Sequence, residues 1–248
     1  MQLAGIQLSD NNFPDHLGVI MDGNGRWAEI RGKSHNRGHR AGTQTLRKIL
    51  EIIERTPIKT VSLFVFSKEN WKRSKEELRG LFNLLRQFYR SDYPTLRKRG
   101  VKIIHSGDFE SLEDDVVEIM RTMVSETADN PGKVLNLCLN YSGRDELTRA
   151  VRRIVAEGIA EEDITEAVIF NHLDNPENGC IDLLIRTSGE LRISNFSLWQ
   201  CAYTELYFTD VYWPDFTEEH LAEAILSYQT RERRFGGRIN EGKEVRLA

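Results

Sequence analysis

Six short runs of apolar, largely β-branched residues recur along the chain: His16 to Met21, Val61 to Phe66, Val101 to His105, Val134 to Leu139, Ile181 to Ile185 and the shorter Glu205 to Phe208. None alternates cleanly between apolar and polar positions, which predicts strands covered on both faces rather than a half-solvated sheet. Between the runs the period lengthens to that of a helix. Leu78, Leu81, Phe82, Leu85 and Phe88 share one face behind Ser74 and Glu77, a capping-box spacing. Leu147, Ala150, Val151, Ile154 and Val155 make a second such face, and Asp215 and Glu218 are placed to cap a third helix carrying Leu221, Ala224, Ile225 and Tyr228. Strands alternating with helices predict an α/β fold, here a six-stranded, mostly parallel sheet surrounded by helices. No repeat or linker divides residues 1–248, so a single domain is expected, with 1–14 and 237–248 at its periphery.

Composition narrows the possibilities. A chain of 248 residues, 40% of them hydrophobic, buries a sizeable core without disulfide or cofactor staples. With 34 basic and 38 acidic residues the net charge is −4, which excludes a disordered, collagenous or nucleic-acid-coating protein. No apolar run approaches the roughly 18–20 residues that cross a bilayer. Residues 1–13 carry neither the basic nor the apolar region of a secretory signal, so a cytoplasmic location is expected. Cys138, Cys180 and Cys201 fit neither a disulfide framework nor a zinc site, and Cys138 is expected in the core.

The modest net charge hides strong asymmetry. Residues 23–48 contain seven basic side chains against Glu29 alone, and residues 68–102 hold eleven against four, whereas 157–182 hold eight acidic side chains and no Lys or Arg. A cationic region on an acidic protein points to one polyanionic ligand rather than to general affinity for polyanions. In parallel sheets ligands bind beyond the carboxyl ends of strands, so the residues following each strand carry the chemistry.

After the first strand come Asp22, Gly23, Asn24, Gly25, Arg26 and Trp27. Glycines let backbone N–H groups turn toward a phosphate, and Arg26 can bond its oxygens. Asp22 repels phosphate, and belongs there only if Mg2+ sits between the two. The bland reading is a D-G turn. After the second strand, Ser67 to Ser74 forms another polar strand-to-helix turn, and after the fifth Arg186 to Phe196 supplies two arginines and several hydroxyls for a second anion pocket. Glu205 is a further oxygen donor for a metal, and His39 a plausible third donor near a helix start. Two anion pockets with carboxylates imply two phosphorylated substrates meeting around a divalent ion. His105, His172 and His220 show no partner pattern.

At these residues the chain resembles the cis-prenyltransferases, and among them most the undecaprenyl diphosphate synthases of bacteria. The resemblance runs from HLGVIMDGNGRWA through GHRAG, FSKENWKR, LNYSGRDEL and IRTSGELRISNF to WQCAYTELYFTDVYWPDF and RERRFGG. It implies repeated addition of isopentenyl diphosphate to an allylic starter, usually farnesyl diphosphate, with new double bonds in cis. By motif position Asp22 is the central catalytic carboxylate and a Mg2+ site, with Glu205 at a second metal position. Gly23, Asn24, Gly25 and Arg26 cradle the allylic diphosphate, helped by Trp27 and His39. Ser67, Lys68, Glu69, Asn70, Trp71 and Arg73 line the reacting end, and the family assigns proton acceptance to the position of Asn70. A neutral amide is a poor base, so Asn70 can instead orient a phosphate oxygen or water. Arg186, Arg192, Ile193 and Ser194 match the isopentenyl diphosphate pocket. The resemblance also implies a homodimer, with a long lipid product bringing peripheral membrane contact.

A hydrocarbon product needs an apolar tunnel, for which Leu81, Leu84, Leu85, Phe88, Ile104, Leu137 and Leu139 are candidates, each also readable as ordinary core. Two departures matter. His35 stands where relatives commonly carry an Arg, and Leu191 where they carry a His sometimes counted among metal ligands. The competing readings are a non-catalytic prenyltransferase-like subunit, which would tolerate loss of Asp22 or the arginines, and a haloacid-dehalogenase-type phosphotransferase, which needs an Asp where Asn24 stands. A dinucleotide-binding protein is disfavoured by the missing acidic residue after the glycines.

Overall fold

The computed structural model describes residues 1–232. An antiparallel pair, β1 (Gln2–Leu3) and β2 (Ile6–Gln7), precedes six strands of one sheet: β3 (His16–Ile20), β4 (Thr60–Ser67), β5 (Lys102–Ser106), β6 (Val134–Tyr141), β7 (Leu183–Arg186) and β8 (Glu205–Phe208). These are the six apolar runs, shifted by at most two residues at most ends. Every pairing among them is parallel, in the order β5-β6-β4-β3-β7-β8. The chain leaves β3 toward β4 on one side and later returns to β7 on the other. This reversal opens a crevice at the carboxyl ends of β3, β4 and β7.

Helices α1 (Asn24–Glu29), α2 (His35–Glu54), α3 (Lys75–Ser91), α4 (Tyr93–Lys98), α5 (Asp114–Glu126), α6 (Gly143–Ala156), α7 (Glu166–Asn171) and α8 (Glu218–Thr230) connect and cover the sheet. The larger core joins Leu17, Val19 and Leu63 of the sheet to Ile49 and Ile53 of α2, Phe82 and Leu85 of α3, Met120 of α5 and Leu221 of α8. A smaller cluster gathers Ile20, Cys138, Tyr141, Leu184 and Phe196, and Cys138 is core as expected. Burial on both faces explains why these strands read as continuous apolar runs.

Local details differ from the pattern. Ser74 caps α3 by accepting the Glu77 amide at 3.2 Å, but the Glu77 carboxylate takes Arg73 at 2.7 Å instead of turning back on the cap. Thr217, paired with His220, caps α8, while Asp215 accepts Trp27 and Arg31. On α6 the buried row is Gly143, Glu146, Ala150 and Ile154, leaving Val151 and Val155 exposed by 53% and 71%. Glu146 displaces the valines because Tyr141 and Gln200 bond its carboxylate inside. The opening residues, expected at the periphery, bury Leu3 and Leu8 in the larger core and bond Gln229 of α8 through Ser9. Of the C-terminal RERRFGG motif only Arg231 and Glu232 are described; the rest, with the 237–248 tail, lies outside the described residues.

Candidate active site

The chain turns sharply after β3. Gly23 sits at φ +97°, where an added Cβ would lie 2.7 Å from Tyr212 and 2.9 Å from Ser188, so both backbone sterics and space demand glycine. That turn starts α1, whose first amides have no preceding helical turn to bond. Asn24 Nδ2 donates to the Met21 carbonyl at 3.0 Å, tying the helix start to the strand end. Helix α2 crosses close behind: a Cβ on Gly38 would stand 2.0 Å from the Asn24 carbonyl oxygen, and one on Gly42 2.1 Å from Asn24 Oδ1. The two glycines of GHRAG therefore permit close contact between α1 and α2, and Gly42 also lines the cavity of the site. Trp213 completes the joint through a 2.9 Å hydrogen bond to the Gly42 carbonyl.

Asp22 is the electrostatic centre. Its Oδ1 accepts the Gly23 amide at 2.7 Å, its Oδ2 accepts Arg186 at 2.8 Å, and Arg26 lies 3.4 Å away. Burial pushes the carboxyl pKa up, but the Arg186 hydrogen bond and charge, with Gly23 and Arg26, outweigh it and hold Asp22 below the usual carboxylate range. Asp22 is thus ionised at neutral pH. Arg26 also reaches Glu190 at 3.0 Å and the Ser188 carbonyl at 3.3 Å.

Strand β4 is irregular against β6 between Phe64 and Ser67, a bulge that re-aims residues next to the site. It delivers Ser67 and Asn70. Asn70 Oδ1 accepts the Ser67 amide at 3.1 Å, which fixes the orientation of the side-chain amide and leaves its NH2 as the group offered to the crevice. His39 lies 3.5 Å from Glu77, with Arg73 also bonded to that carboxylate. Burial, then the Arg73 charge, lowers the His39 pKa against the opposing pull of Glu77.

The segment after β7 is conformationally unusual. Ser188, Ser194, Asn195 and Ser197 all have positive φ, between 44° and 81°, a concentration of left-handed non-glycine residues of the kind found where backbone is shaped for ligand. Arg186, only 4% exposed, holds Asp22, the Ser194 hydroxyl at 2.6 Å and the Arg192 carbonyl at 2.5 Å.

These groups open into one cavity of about 960 Å3. Asp22, Gly23, Asn24, Gly25, Arg26, His35, His39, Ser67, Glu69, Asn70, Arg73, Arg186 and Ser194 line it, as do Leu81, Leu84, Leu85 and Phe88 of α3 and Leu137 and Leu139 of β6. His35, in place of the common Arg, reaches the rim with its Nε2 on Glu29 at 2.7 Å. Ile104 is buried but is not a wall.

Several expected residues do not face the cavity. Trp27 donates to Asp215 at 2.7 Å beneath Arg31 and Lys33, and Trp71 packs on Phe66 and Phe82 with its Nε1 on Asn140. Lys68 is consumed by Asp108 and Asp145. Arg192 pairs with Glu190, and neither it nor Ile193 is a wall. Glu205 begins β8, in register with Leu183 and hence with Leu17, so it stands at the opposite end of the sheet from Asp22 and bonds Arg231 at 2.8 Å. Arg144, overlooked in the motif reading, does line the cavity, as do Asn195 and Leu198. A signal for it was present: a cation directly after a strand and at a helix start. His105, His172 and His220 prove structural, bonding Leu139, Val168 and Thr217 respectively.

Among the described residues no cluster of three or more His, Cys, Asp or Glu side chains is arranged around a metal. A single ionised carboxylate beside the Arg26 and Arg186 guanidinium groups nevertheless suits Mg2+, which takes one or two protein carboxylates and completes its shell with water and phosphate oxygens.

The family model described as "Putative undecaprenyl diphosphate synthase" matches residues 20–236. The chain belongs to this prenyltransferase family. It is 49% identical over 229 residues to an isoprenyl transferase of Geobacillus kaustophilus, covering 91% of this chain and 89% of the relative. An isoprenyl transferase of Leptospira interrogans is 42% identical over 242 residues, covering 94% and 99%. Among solved structures, lavandulyl diphosphate synthase from Lavandula x intermedia, in complex with dimethylallyl diphosphate, superposes with a TM-score of 0.87 at 34% identity over 92% of this chain and all of that one. A probable undecaprenyl diphosphate synthase from Campylobacter jejuni gives 0.77 at 33% identity, covering 91% and 99%. The prenyltransferase is therefore an enzyme of polyprenyl chain elongation by family. No helix among its described residues is long and apolar enough to cross a membrane.

Proposed function

We propose that this prenyltransferase condenses isopentenyl diphosphate repeatedly onto an allylic diphosphate, with farnesyl diphosphate as starter, forming cis double bonds and releasing pyrophosphate at each addition. The product on this reading is a long-chain polyprenyl diphosphate of the kind used as a lipid carrier in cell-wall synthesis. One observation supports it most: a single cavity of about 960 Å3 joins Asp22, Arg26 and Arg186 to an apolar wall from α3 and β6. Charged head groups and a hydrocarbon tail thus find matching surfaces in one continuous space.

The chemistry asks the chain for three things. The allylic C–O bond breaks with its electron pair passing to pyrophosphate, so cations must meet charge that grows in the transition state; Arg26 and the Gly23–Gly25 turn line the cavity where that charge would grow. The isopentenyl double bond attacks the freed allylic carbon, so the second diphosphate must be held alongside by the wall of Arg186 and Ser194. That attack leaves a cation on the isopentenyl unit, and a proton then leaves the adjacent carbon, its C–H electrons becoming the new double bond. The free NH2 of Asn70 donates, so it orients an accepting oxygen and does not itself take the proton. Mg2+, held by Asp22, would supply further charge stabilisation for departing pyrophosphate. The same reading makes the chain one subunit of a homodimer, which would give the exposed Val151 and Val155 a cover, and gives it peripheral membrane contact through its product.

Incubating the purified protein with farnesyl diphosphate, radiolabelled isopentenyl diphosphate and Mg2+, and sizing the products, tests the proposal. Discrete longer polyprenyl products are expected from the wild type. Asp22→Asn, which keeps the shape of the side chain, is expected to lose at least ~1,000-fold in turnover, the order seen when a centre of transition-state charge stabilisation is removed. Absence of elongation by the wild type would overturn the reading, and near-normal turnover by the variant would overturn the role of Asp22. The result would also exclude or establish the non-catalytic subunit.

A further inference from the structure

The turn after β4 has two faces. Lys68–Lys72 form a 3-10 helix, in which side chains three positions apart eclipse one another. Glu69 and Asn70 line the cavity, as does Arg73, three residues after Asn70. Lys68 and Trp71, also three apart, share the other face and are not walls. Both are caught by one polar platform behind the turn.

Asn140 is the centre of that platform. The register between β4 and β6 slips at this point: Phe66 pairs with Leu139 and Ser67 with Tyr141, which leaves Asn140 opposite no residue of β4. It is buried and takes φ +51°. Its Oδ1 accepts Trp71 Nε1 at 2.9 Å, and its Nδ2 donates to Asp108 Oδ1 at 2.9 Å and to the Glu110 carbonyl at 2.7 Å. Asp108, in the loop after β5, completes the grip. Its Oδ1 also accepts the Glu110 amide at 2.8 Å, and its Oδ2 takes the Lys68 ammonium, which reaches Asp145 of α6 at 2.6 Å as well. Gly107 allows the loop this close to β6: at φ +126°, a Cβ there would stand 2.2 Å from the Leu139 carbonyl oxygen. Neither Asp108 nor Asn140 lines the cavity.

We propose that Asp108 and Asn140 are positioning residues for chain elongation: by holding Lys68 and Trp71 they aim the Asn70 NH2 at the oxygen that accepts the proton. This rests on the elongation reading given above. The Asn70 amide is fixed within its own turn by the 3.1 Å bond from the Ser67 amide, and the Lys68 and Trp71 anchors fix that turn against the sheet. The Lys68–Asp108 pair is largely shielded from solvent, so salt screens it less than a surface pair. A group that orients a reacting partner depends on such support, because small displacements at a reacting centre are costly.

The test compares steady-state kinetics of wild type, Asp108→Asn, Asn140→Gly, Asn70→Ala and the Asp108→Asn, Asn70→Ala double variant, with circular dichroism of each. Asp108→Asn keeps the shape of the side chain but cannot pair with Lys68 as a charge. Glycine at position 140 meets φ +51° without strain. Each of these two variants is expected to lower kcat about 10- to 100-fold, the scale of a misplacement of about 1 Å. The KM for either diphosphate should stay within about threefold. The double-mutant cycle separates positioning from a general structural role: once Asn70 is alanine, Asp108→Asn should cost less than about twofold more. An equal loss in both backgrounds, or wild-type kcat in Asp108→Asn, would overturn the assignment. Should Asn140→Gly fail to fold, Asp108→Asn carries the test. Amide hydrogen exchange over residues 67–73 needs no turnover: it should be faster in Asp108→Asn, and unchanged exchange would remove the anchor. If the wild type elongates nothing, the elongation reading fails, and the exchange result alone then decides whether Asp108 holds the turn.

Discussion

Asp22 and Arg186 define each other. The carboxylate keeps a nearly buried guanidinium neutralised, and the guanidinium keeps the carboxylate ionised in a half-buried place. A quieter residue adds to the acid sensitivity of the fold. His16 begins β3, buried, with Nε2 2.8 Å from the Ser62 hydroxyl and Nδ1 3.2 Å from the Asn178 carbonyl. Burial, only partly opposed by Asp182, pulls its pKa down to about 4. The unfolded chain takes up this proton near pH 6.5 and the folded chain does not until about 4, so stability is level above 6.5 and falls as pH drops between those values. The loss amounts to roughly 3 kcal/mol by pH 4. Urea unfolding at pH 7 and pH 4.5 should show a steeper loss for wild type than for His16→Gln; equal losses would show that another group governs the acid limb.

At the scale of elements, the α1–α2 joint is the feature on which the phosphate loop depends. Gly38→Ala gains up to about 1 kcal/mol of helix propensity but drives a Cβ against the Asn24 carbonyl oxygen, 2.0 Å away, which backbone movement alone can relieve. The clash should win. Expected are a net destabilisation of roughly 1–3 kcal/mol by denaturant unfolding and a KM for the allylic diphosphate raised by more than that for isopentenyl diphosphate. Wild-type values for both would show that the close approach is unimportant. The strands were legible because burial on both faces writes a run of β-branched residues into the chain, and the turn that lines the cavity because Asp22 and Gly23 follow such a run. The valines of α6 misled because periodicity marks an apolar row without saying what covers it, and a buried Glu146 reads as surface. Glu205 lies away from Asp22 in this chain because it starts its strand, while the cavity gathers where strands finish.

Over the whole molecule strand order assembles the chemistry. The reversal between β4 and β7 around β3 brings Asp22, Asn70 and Arg186 from distant parts of the chain to one crevice, and α3 lends that crevice an apolar wall. Family membership and the architecture shared with the lavender and Campylobacter proteins support the fold that makes this crevice. The account stands on two diphosphates bound side by side with the growing chain leading away along α3. A crystal structure of Asp22→Asn soaked with farnesyl diphosphate and isopentenyl diphosphate tests that directly. It should show one head group at Gly23 to Arg26, the other at the wall of Arg186 and Ser194, and the farnesyl tail against Leu81, Leu85 and Phe88. A head group bound away from these residues, or a tail lying outside the cavity, would contradict it.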